Sequence, residues 1–289
     1  MDRGDQTEYK RSMFRKTSGP SLCPSCGKLN NIDAPVCFYC GRRNPGLWGF
    51  GPSVVHFLGE LNFVSIVTGV CVAVYVLSLV FDPQTSLRLR NPFDFLAPSM
   101  AALDALGMTG AYAWAHGRWW TLFTAIYLHG SLLHILFNLL WINQLAPAVE
   151  GVYGRSRLIV IFTAAGVFGF IVSNWVGVSF TIGASGAIFG LFGAMVHYGR
   201  SRGGAFGVMV FRQYGMWALI LFILPFLMPG AGINNLAHAG GFVGGYAAAM
   251  VLGHNGHQRD RIGHQLAATA CIILTTLSFI FALWTGLVG

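Results

Sequence analysis

Residues 131–149 have the sequence SLLHILFNLLWINQLAPAV, a run of nineteen residues that contains no Asp, Glu, Lys or Arg. A helix rises about 1.5 Å per residue, so this run approaches the roughly 20 residues that cross the hydrocarbon core of a bilayer. Two polar residues, His134 and Asn138, are four positions apart and therefore share one face of a helix. The run predicts a membrane-embedded helix with a polar site on one side.

Six more apolar runs occur in the chain, most of them separated by Gly, Pro or charged residues. They cover residues 61–81, 158–176, 185–198, 214–228, 235–252 and 266–288. The chain is 54% hydrophobic and only 10% charged, whereas soluble domains typically carry about 25% charged residues. The sequence predicts an all-α fold, a polytopic membrane bundle of seven helices, with the fourth and fifth helices short for a full crossing.

The positions of Lys and Arg predict the orientation of the bundle. Eight of them precede the first apolar run, and seven more mark every second loop after it: Arg155, Arg157, Arg200, Arg202, Arg212, Arg259 and Arg261. Because Lys and Arg favour the cytosolic side of short loops, we expect a cytosolic N-terminus and an outside C-terminus in a bacterial inner membrane. The first sixty residues lack the apolar core of a cleavable signal peptide.

The net charge of +8 follows largely from this topology, with basic flanks facing anionic lipid. Binding to nucleic acid is therefore not expected. A long first loop, residues 82–130, is an exception to the charge pattern because it contains Arg88, Arg90 and Arg118. Its many aromatic residues predict a position in the outer interface of the membrane.

Gly183-Ala184-Ser185-Gly186 opens the fourth predicted helix at its outer end. Small neighbours leave room for a substrate backbone at the Ser185 hydroxyl, and the unpaired N–H groups of a helix N-terminus can stabilise an oxyanion. Two interpretations are open at this point. Ser185 is a nucleophile, or it is an N-cap while Gly186 and Gly190 form a packing seam.

His238 favours the catalytic interpretation, because an ionisable side chain inside an apolar segment is costly and marks a functional candidate. It stands just inside the outer end of the sixth predicted helix, at the depth expected for Ser185. Gly241 and Gly245 share its face, so this helix can approach the glycine-rich fourth helix closely. No Asp or Glu occurs in the outer half of these helices, and we infer a Ser185–His238 dyad in which a neutral histidine acts as the base.

His134 and Asn138 supply hydrogen-bond donors on the second predicted helix, for which Ser131 is the expected N-cap. Imidazole and amide groups are suitable donors for an oxyanion hole. An interhelical hydrogen-bonded pair is the alternative for Asn138. His129 precedes His134 by five residues and is either a supporting partner or, with His134, half of a metal site that lacks an evident third ligand.

In order and spacing, these residues resemble the rhomboid family of intramembrane serine proteases over residues 55–255. The matching positions are His129, His134, Asn138, Gly183, Ser185, Gly186, His238, Gly241 and Gly245. The resemblance implies a Ser185–His238 dyad, an oxyanion hole from His134, Asn138 and the Ser185 backbone N–H, and active-site packing by Gly183, Gly186 and Gly241. It also implies six core helices with a seventh appended, cleavage of membrane-anchored proteins near their helix ends, and catalysis without a cofactor.

Three positions depart from the family pattern. Trp120-Thr121 stands where many rhomboids have Trp-Arg, so a structural arginine is absent or displaced to Arg118. Phe189 replaces a frequent tyrosine one turn below Ser185, although its ring can still pack on an imidazole. Ala146-Pro147 replaces a glycine shortly before Glu150, which predicts an altered cytosolic end of the second helix.

Four cysteines before the first apolar run form two C-x₂-C pairs, each followed by Gly: Cys23 with Cys26 and Cys37 with Cys40. Four thiolates in this spacing can bind one tetrahedral Zn²⁺, which would supply the folding energy of so small a module. The segment resembles a zinc ribbon. A redox-active pair is the alternative, and a cytosolic protein that binds the module is a further hypothesis.

The sequence therefore predicts a cytosolic tail over residues 1–46 with the cysteine module at 23–41, a linker at 47–60, a protease core at 61–255, and a cytosolic loop with an extra helix at 256–289. The predicted substrates are transmembrane proteins. A catalytically silent relative that binds client helices is the main alternative. A transporter would require matching broken helices, which the sequence lacks. Zinc and aspartyl intramembrane proteases are excluded, since no His-Glu-x-x-His and no mid-span Asp occur.

Overall fold

The computed structural model describes residues 18–23, 28–46, 62–86, 94–227, 232–254 and 261–288. The chain divides into two compact units, Met1–Ser65 and Ile66–Gly289. Residues 1–17, the predicted linker at 47–60 and Cys26 lie outside the described residues.

The first unit contains a short antiparallel pair of strands, β1 (Pro20–Leu22) and β2 (Leu29–Asn31). Cys23 follows β1 and donates its backbone N–H to Lys28 O at 2.9 Å. A second turn, bridged by Val36 and Arg43, carries Cys37 and Cys40. Cys37 and Cys40 therefore share one turn, and Cys23 directly follows β1.

The second unit is helical, and the described residues contain seven helices of at least 18 residues. These are α1 (Phe63–Phe81), α2 (Leu132–Tyr153), α3 (Arg155–Trp175), α4 (Ser185–Arg202), α5 (Gly204–Ile223), α6 (Asn235–Leu252) and α7 (Ile262–Val288). The prediction of an all-α bundle of seven helices is confirmed, but the fifth helix, which was predicted to be short for a full crossing, has 20 residues.

Five of these helices are long and apolar enough to cross a membrane, namely all except α4 and α6. The two exceptions have 18 residues each and are rich in glycine. Most of α4 is buried against α3, α5 and α6. A helix surrounded by protein does not have to match the lipid thickness by itself, and so a short, less apolar helix is tolerated at the centre of the bundle.

The predicted start of the fifth helix at residue 214 is wrong. The loop before α5 is reduced to Gly203, and both Gly203 and the first residue of α5, Gly204, have positive φ values of 66° and 65°. Arg212 therefore lies within α5, where it is exposed, rather than in a loop. A long arginine stem can carry its charge along a helix toward the interface, which explains how a helix continues through a residue that interrupts an apolar run.

The C-terminal end of α2 also differs from the prediction. Pro147 lies inside α2, and the helix continues to Tyr153. The fully buried Tyr153 donates its hydroxyl to Ala194 O at 2.9 Å, which anchors this end to α4. Arg157 was expected in a loop but is fully buried in α3, where it donates to Tyr153 O at 2.7 Å. Tertiary hydrogen bonds thus support the last turn of α2.

Four short helices lie within the first loop: Pro83–Ser86, Met100–Ala105, Ala111–Ala115 and Thr121–Thr124. Two 3₁₀ segments, Ala125–Tyr127 and Leu224–Leu227, complete the helical elements of the described residues. Within the first loop, the Arg118 guanidinium donates to Asp104 Oδ1 at 2.7 Å and to Asp104 O at 3.0 Å. A displaced arginine at position 118 therefore does bind within this loop.

Candidate active site

Ser185 is the first residue of α4 and is partly buried. The N-cap position is held by Ala184, and no side-chain hydrogen bond caps this helix. The alternative that Ser185 serves as an N-cap therefore does not fit the structure. As the first residue of the helix, Ser185 has a backbone N–H without an intrahelical acceptor, which leaves that group available to an oxyanion.

Glycines hold α4 and α6 in backbone contact directly beside Ser185 and His238. A Cβ added to Gly241 would collide with Gly186 O, and one added to Gly245 would collide with the backbone of Gly190. A Cβ added to Gly186 would lie 3.2 Å from Ala237 O. The residues that follow Ser185 and precede His238 are thus neighbours across this seam, which confirms the expected packing of the two helices.

His238 lies in the first turn of α6 and is 5% exposed. Its ring stacks on Phe189 with centroids 4.3 Å apart and an interplanar angle of 13°. Phe189 follows Ser185 by one turn of α4 and shares its face. The prediction that this phenylalanine packs on an imidazole is confirmed, and the stack brings His238 to the Ser185 face of α4.

Among the described residues, Nδ1 of His238 has no hydrogen-bond partner. A buried polar atom without a partner is rare in folded proteins and is common where a ligand or reacting group binds.

His134 lies in the first turn of α2, and Ser131 caps that helix by accepting the His134 backbone N–H at 3.3 Å. The backbone N–H of Gly130 lies 3.2 Å from His134 Nδ1. Since a backbone N–H group can only donate, Nδ1 of a neutral His134 must be the acceptor, and the proton of the His134 ring must be on Nε2. A Cβ added to Gly183 would lie 2.6 Å from this Nε2. The His134 N–H donor is therefore directed at the loop that carries Ser185.

Asn138 follows His134 by one turn and is 4% exposed. Its amide nitrogen donates to His134 O at 2.7 Å, and Oδ1 has no partner among the described residues. An amide nitrogen has two N–H groups, so one remains after this bond is formed. One of the two amide N–H groups of Asn138 is therefore used within α2, and the other is available to a further acceptor.

His129 is fully buried and supports His134 from the side. Its Nδ1 lies 3.2 Å from Tyr127 O, and its ring contacts His134 edge-on with centroids 5.1 Å apart. The only group of three or more potential metal ligands in the described part of the chain is formed by cysteines of the first unit. The geometry around His129 therefore fits a packing partner of His134.

A polar network that the sequence did not reveal fixes the position of α6. Asn234 caps α6 by accepting the backbone N–H groups of Leu236 and Ala237 at 3.1 and 3.2 Å. Its amide nitrogen also donates to Ser173 Oγ of α3 and to Thr181 Oγ1 of the loop before Ser185. An Asn four residues before His238 is a recognisable N-cap signal, but its long-range partners are not visible in the sequence.

The loop before Ser185 is also bound to the first loop by backbone hydrogen bonds. Thr181 donates its N–H to Thr109 O at 2.7 Å, and Gly183 donates its N–H to Ala125 O at 2.8 Å. Gly183 has a φ of 115°, a conformation that favours glycine. The position of Ser185 therefore depends on the first loop as well as on α4.

The cysteine module forms a second candidate site. The Sγ atoms of Cys23, Cys37 and Cys40 all lie within 4.8 Å of one another, and those of Cys23 and Cys40 are 3.7 Å apart. Four sulfurs at about 2.3 Å from a tetrahedral ion would lie roughly 3.8 Å apart. The three described thiols therefore have the spacing of a tetrahedral metal site, and Cys26, the fourth predicted ligand, lies outside the described residues.

The electrostatic environment of Cys37 favours the thiolate. Burial raises the pKa of this thiol, but hydrogen bonds with the backbone N–H groups of Tyr39 and Cys40 and with the thiols of Cys23 and Cys40 outweigh burial. Together they lower the pKa from an ordinary value of 9.0 to about 6. The thiolate is the form in which cysteine binds a metal.

Comparisons with known proteins identify related sequences. A family model described as a rhomboid domain matches residues 116–255, which include both α4 and α6. The chain is 34% identical to the rhomboid protease GluP of Bacillus subtilis over 169 residues, which are 58% of this chain but only 32% of that protein. The chain thus spans about a third of the length of this relative.

Two further relatives are covered more completely. The chain is 31% identical to the rhomboid protease GlpG of Klebsiella pneumoniae over 226 residues, 76% of this chain and 74% of that protein. It is 31% identical to RHOMBOID-like protein 5 of Arabidopsis thaliana over 210 residues, 69% of this chain and 67% of that protein. The residues that resembled a family by spacing alone therefore fall within a region of general sequence similarity.

Proposed function

The chain belongs to the rhomboid family of intramembrane proteases, and on that premise we propose that it hydrolyses peptide bonds of membrane-anchored proteins with Ser185 as nucleophile and His238 as base. The observation that carries this proposal is the stack of His238 on Phe189, one turn below Ser185. A neutral imidazole on the face of α4 that presents Ser185 is the partner that a weakly nucleophilic hydroxyl requires.

The reaction divides into two steps. In the first, His238 takes the proton of Ser185 as Oγ attacks the substrate carbonyl, and then donates it to the departing amine, which leaves an acyl ester on Ser185. In the second, His238 takes a proton from water, the hydroxide attacks the ester, and the proton returns to Oγ. Both steps need only groups of this chain and one water molecule.

His134, Asn138 and the Ser185 backbone N–H are proposed as the oxyanion hole. The proposal is supported by the Nε2–H tautomer of His134, by the remaining N–H of the Asn138 amide, and by the free N–H at the start of α4. Each donor aimed at a developing oxyanion typically contributes about 3 to 4 kcal/mol to the transition state. Gly183, Gly186 and Gly241 would leave space for the substrate backbone beside these donors.

A fluorophosphonate probe tests the proposed dyad because it reacts much faster with an activated serine hydroxyl than with other side chains. We expect stoichiometric labelling of the parent chain at Ser185, measured by mass spectrometry after reconstitution in lipid. His238→Ala should remain unlabelled on the same timescale, since Oγ then has no base, whereas His116→Ala on the exposed surface of the first loop should be labelled like the parent. Equal labelling of His238→Ala and the parent would rule out the dyad.

The multi-pass topology is proposed with a cytosolic N-terminus, an outside C-terminus and a bacterial inner membrane as the location. It is supported by basic residues at one end of the bundle, such as Arg155, Arg200 and Arg202, while Ser185 starts α4 at the opposite end. Cleavage would then occur near the outer side of the bilayer. The orientation can be tested by fusing, after residue 289, a reporter enzyme that is active only in the cytosol. Reporter activity in this fusion would contradict an outside C-terminus.

The domain boundaries remain part of the same proposal: a tail over residues 1–46, a linker over 47–60, a protease core over 61–255 and an appended segment over 256–289. The region that matches the rhomboid domain, residues 116–255, supports the end of the core. The division between the two compact units after Ser65 supports a separate N-terminal module.

A structural Zn²⁺ bound by Cys23, Cys26, Cys37 and Cys40 is proposed for that module. We expect the purified chain to contain about one zinc per molecule and Cys37→Ser to lose it, as measured by elemental analysis. Cys71→Ser is the matched control because Cys71 is buried in α1, outside the module, and it should retain the metal. Unchanged zinc content in Cys37→Ser would refute the site.

A cytosolic partner for the module is proposed on the basis of its exposed aromatic pair. Phe38 and Tyr39, in the turn between Cys37 and Cys40, are 85% and 61% exposed, which is unusual for large apolar side chains. Deleting residues 1–46 should therefore change substrate choice, turnover or abundance. A deletion that changes none of these would count against a role for the module.

A further inference from the structure

The seventh helix contacts the first loop although it lies outside the region that matches the rhomboid domain. A Cβ added to Gly286 of α7 would lie 2.5 Å from Ala105 O, so the two backbones are in direct contact. One turn earlier on the same face, Ala282 is 1% exposed, and its Cβ would lie 3.1 Å from a Cβ added to Gly107. The last turns of α7 are therefore fitted against the first loop without intervening side chains.

Aromatic contacts extend this interface. Phe281 of α7 meets the Trp120 ring edge-on with centroids 4.4 Å apart. The ring centroids of Phe279 and Tyr127 are 5.8 Å apart. Because Trp120 and Tyr127 flank the segment whose Ala125 accepts the Gly183 N–H, these contacts reach the part of the loop that binds the residues before Ser185.

A buried apolar cluster connects α7 to the residues immediately before Ser185. We call it the loop core, and it consists of Leu103, Leu106, Met108 and Leu128, each at most 9% exposed. Leu283 of α7 packs against the loop core, and so does Ile182. Protein interiors are close-packed and transmit small displacements, so Leu283 and Ile182 are mechanically coupled through these four side chains.

Ile182 in turn contacts the residues that orient the proposed catalytic groups. Its Cδ1 would lie 3.5 Å from a Cβ added to Gly130, whose N–H fixes the tautomer of His134. The next residue, Gly183, lies against His134 Nε2. A displacement of Ile182 would therefore change the spacing between His134 and Ser185 without touching either side chain.

We propose that α7 is a positioning element of the active site, acting through Leu283 and the loop core on Ile182 and Gly183. Loss of this contact leaves Ser185, His238 and His134 present but moves the loop that sets their spacing. Misplacement of reacting groups by about 1 Å costs on the order of 10²-fold in rate. The inference rests on the proposed role of Ser185, so its test must distinguish a failure of the α7 proposal from a failure of the serine protease proposal.

The decisive comparison is between Gly286→Leu and Gly263→Leu in the full-length chain reconstituted in lipid. A leucine at Gly286 must push the end of α7 away from the Ala105 backbone, whereas Gly263, on the same helix, has open space around it. We expect the rate constant of fluorophosphonate labelling to fall by about 10²-fold in Gly286→Leu and to stay at the parental value in Gly263→Leu. The labelled fraction at completion should be the same in both variants.

A second pair of variants covers the case in which Gly286→Leu does not fold. Leu283→Ala removes the contact with the loop core, and Leu283→Met restores most of its volume. Turnover of a transmembrane substrate should fall in Leu283→Ala with KM unchanged and recover in Leu283→Met. Trp284→Ala, which alters a side chain that is 65% exposed on the same helix, should match the parent.

Each outcome decides the inference. Parental labelling rates in folded Gly286→Leu, or parental turnover in Leu283→Ala, would overturn the positioning role of α7. A KM increase at constant kcat would also overturn it, because it would indicate a substrate contact instead. Failure of the parent chain itself to react with the fluorophosphonate would refute the proposed function, and that result is distinguishable because it does not involve α7.

Discussion

Ser185→Ala is expected to abolish cleavage of a transmembrane substrate in proteoliposomes, lowering kcat by about 10⁶-fold, the scale reported for removal of a serine nucleophile. The hydroxyl is the only group of the proposed site that forms a covalent bond with the substrate, so no neighbouring donor can replace it. The backbone N–H of residue 185 and the imidazole of His134 remain in the variant, and substrate binding should persist with KM close to the parental value. Quantitative gel analysis of substrate and product measures both parameters.

Ser201→Ala is a matched control for this experiment. Ser201 lies on the same helix, at its opposite end, where its exposed hydroxyl bonds to Tyr198 O at 3.1 Å. The control should retain parental turnover. Equal turnover in Ser185→Ala and the parent would show that the chain does not use this serine.

The same variant separates the protease from a silent relative that binds client helices. A chain whose role is binding would keep its full cellular effect as Ser185→Ala, whereas a protease would lose it together with cleavage. We expect Ser185→Ala to lose the cellular effect, because the chain has all of the proposed catalytic groups and the His134 tautomer is suited to binding an oxyanion.

Gly241→Ala is also expected to have a large effect, because it adds one methyl group where α4 and α6 are in backbone contact. The new Cβ would collide with Gly186 O, and no flexible side chain is present to move aside. Overpacking of this kind costs about 1 to 3 kcal/mol of stability. The helices must separate next to Ser185 and His238, and a shift of about 1 Å there should lower kcat/KM by roughly 10²-fold.

Gly69→Ala provides the control for glycine replacement in a membrane helix. Gly69 lies in α1 with nothing within 4 Å of an added Cβ, so its replacement should leave both the melting temperature and kcat/KM at parental values. The melting temperature and kcat/KM of Gly241→Ala and Gly69→Ala test this prediction. Parental kcat/KM in a folded Gly241→Ala protein would indicate that the α4–α6 seam does not set the spacing of the dyad.

The number of long helices was predictable because each must be a long apolar segment, and such segments are visible in a single sequence. Helix ends were harder to predict. Arg212 interrupted the fifth apolar run, yet α5 begins at Gly204, because a pair of glycines with positive φ makes a shorter connection than the charge pattern suggested. Pro147 did not end α2, since Tyr153 and Arg157 hold its last turn by tertiary hydrogen bonds.

The candidate catalytic residues were also predictable, because polar side chains are expensive in an apolar helix and stand out against their neighbours. The residues that orient them were not. Thr181 and Asn234 are ordinary polar residues at helix ends, and their mutual hydrogen bond joins positions 53 residues apart. The sequence indicates Arg118 only as a displaced arginine and gives no sign of its partner Asp104.

By itself the sequence determined the all-α membrane fold, the seven long helices, the candidate groups Ser185, His238, His134 and Asn138, and the paired cysteines of the N-terminal module. These properties depend on composition, helical period and local spacing, all of which are encoded within a few turns of chain. Only the tertiary structure decided that Phe189 stacks on His238, that His134 carries its proton on Nε2, and that α7 reaches Ile182 through the loop core. Those features arise from contacts between residues distant in sequence, and close packing fixes them only when the whole bundle has formed.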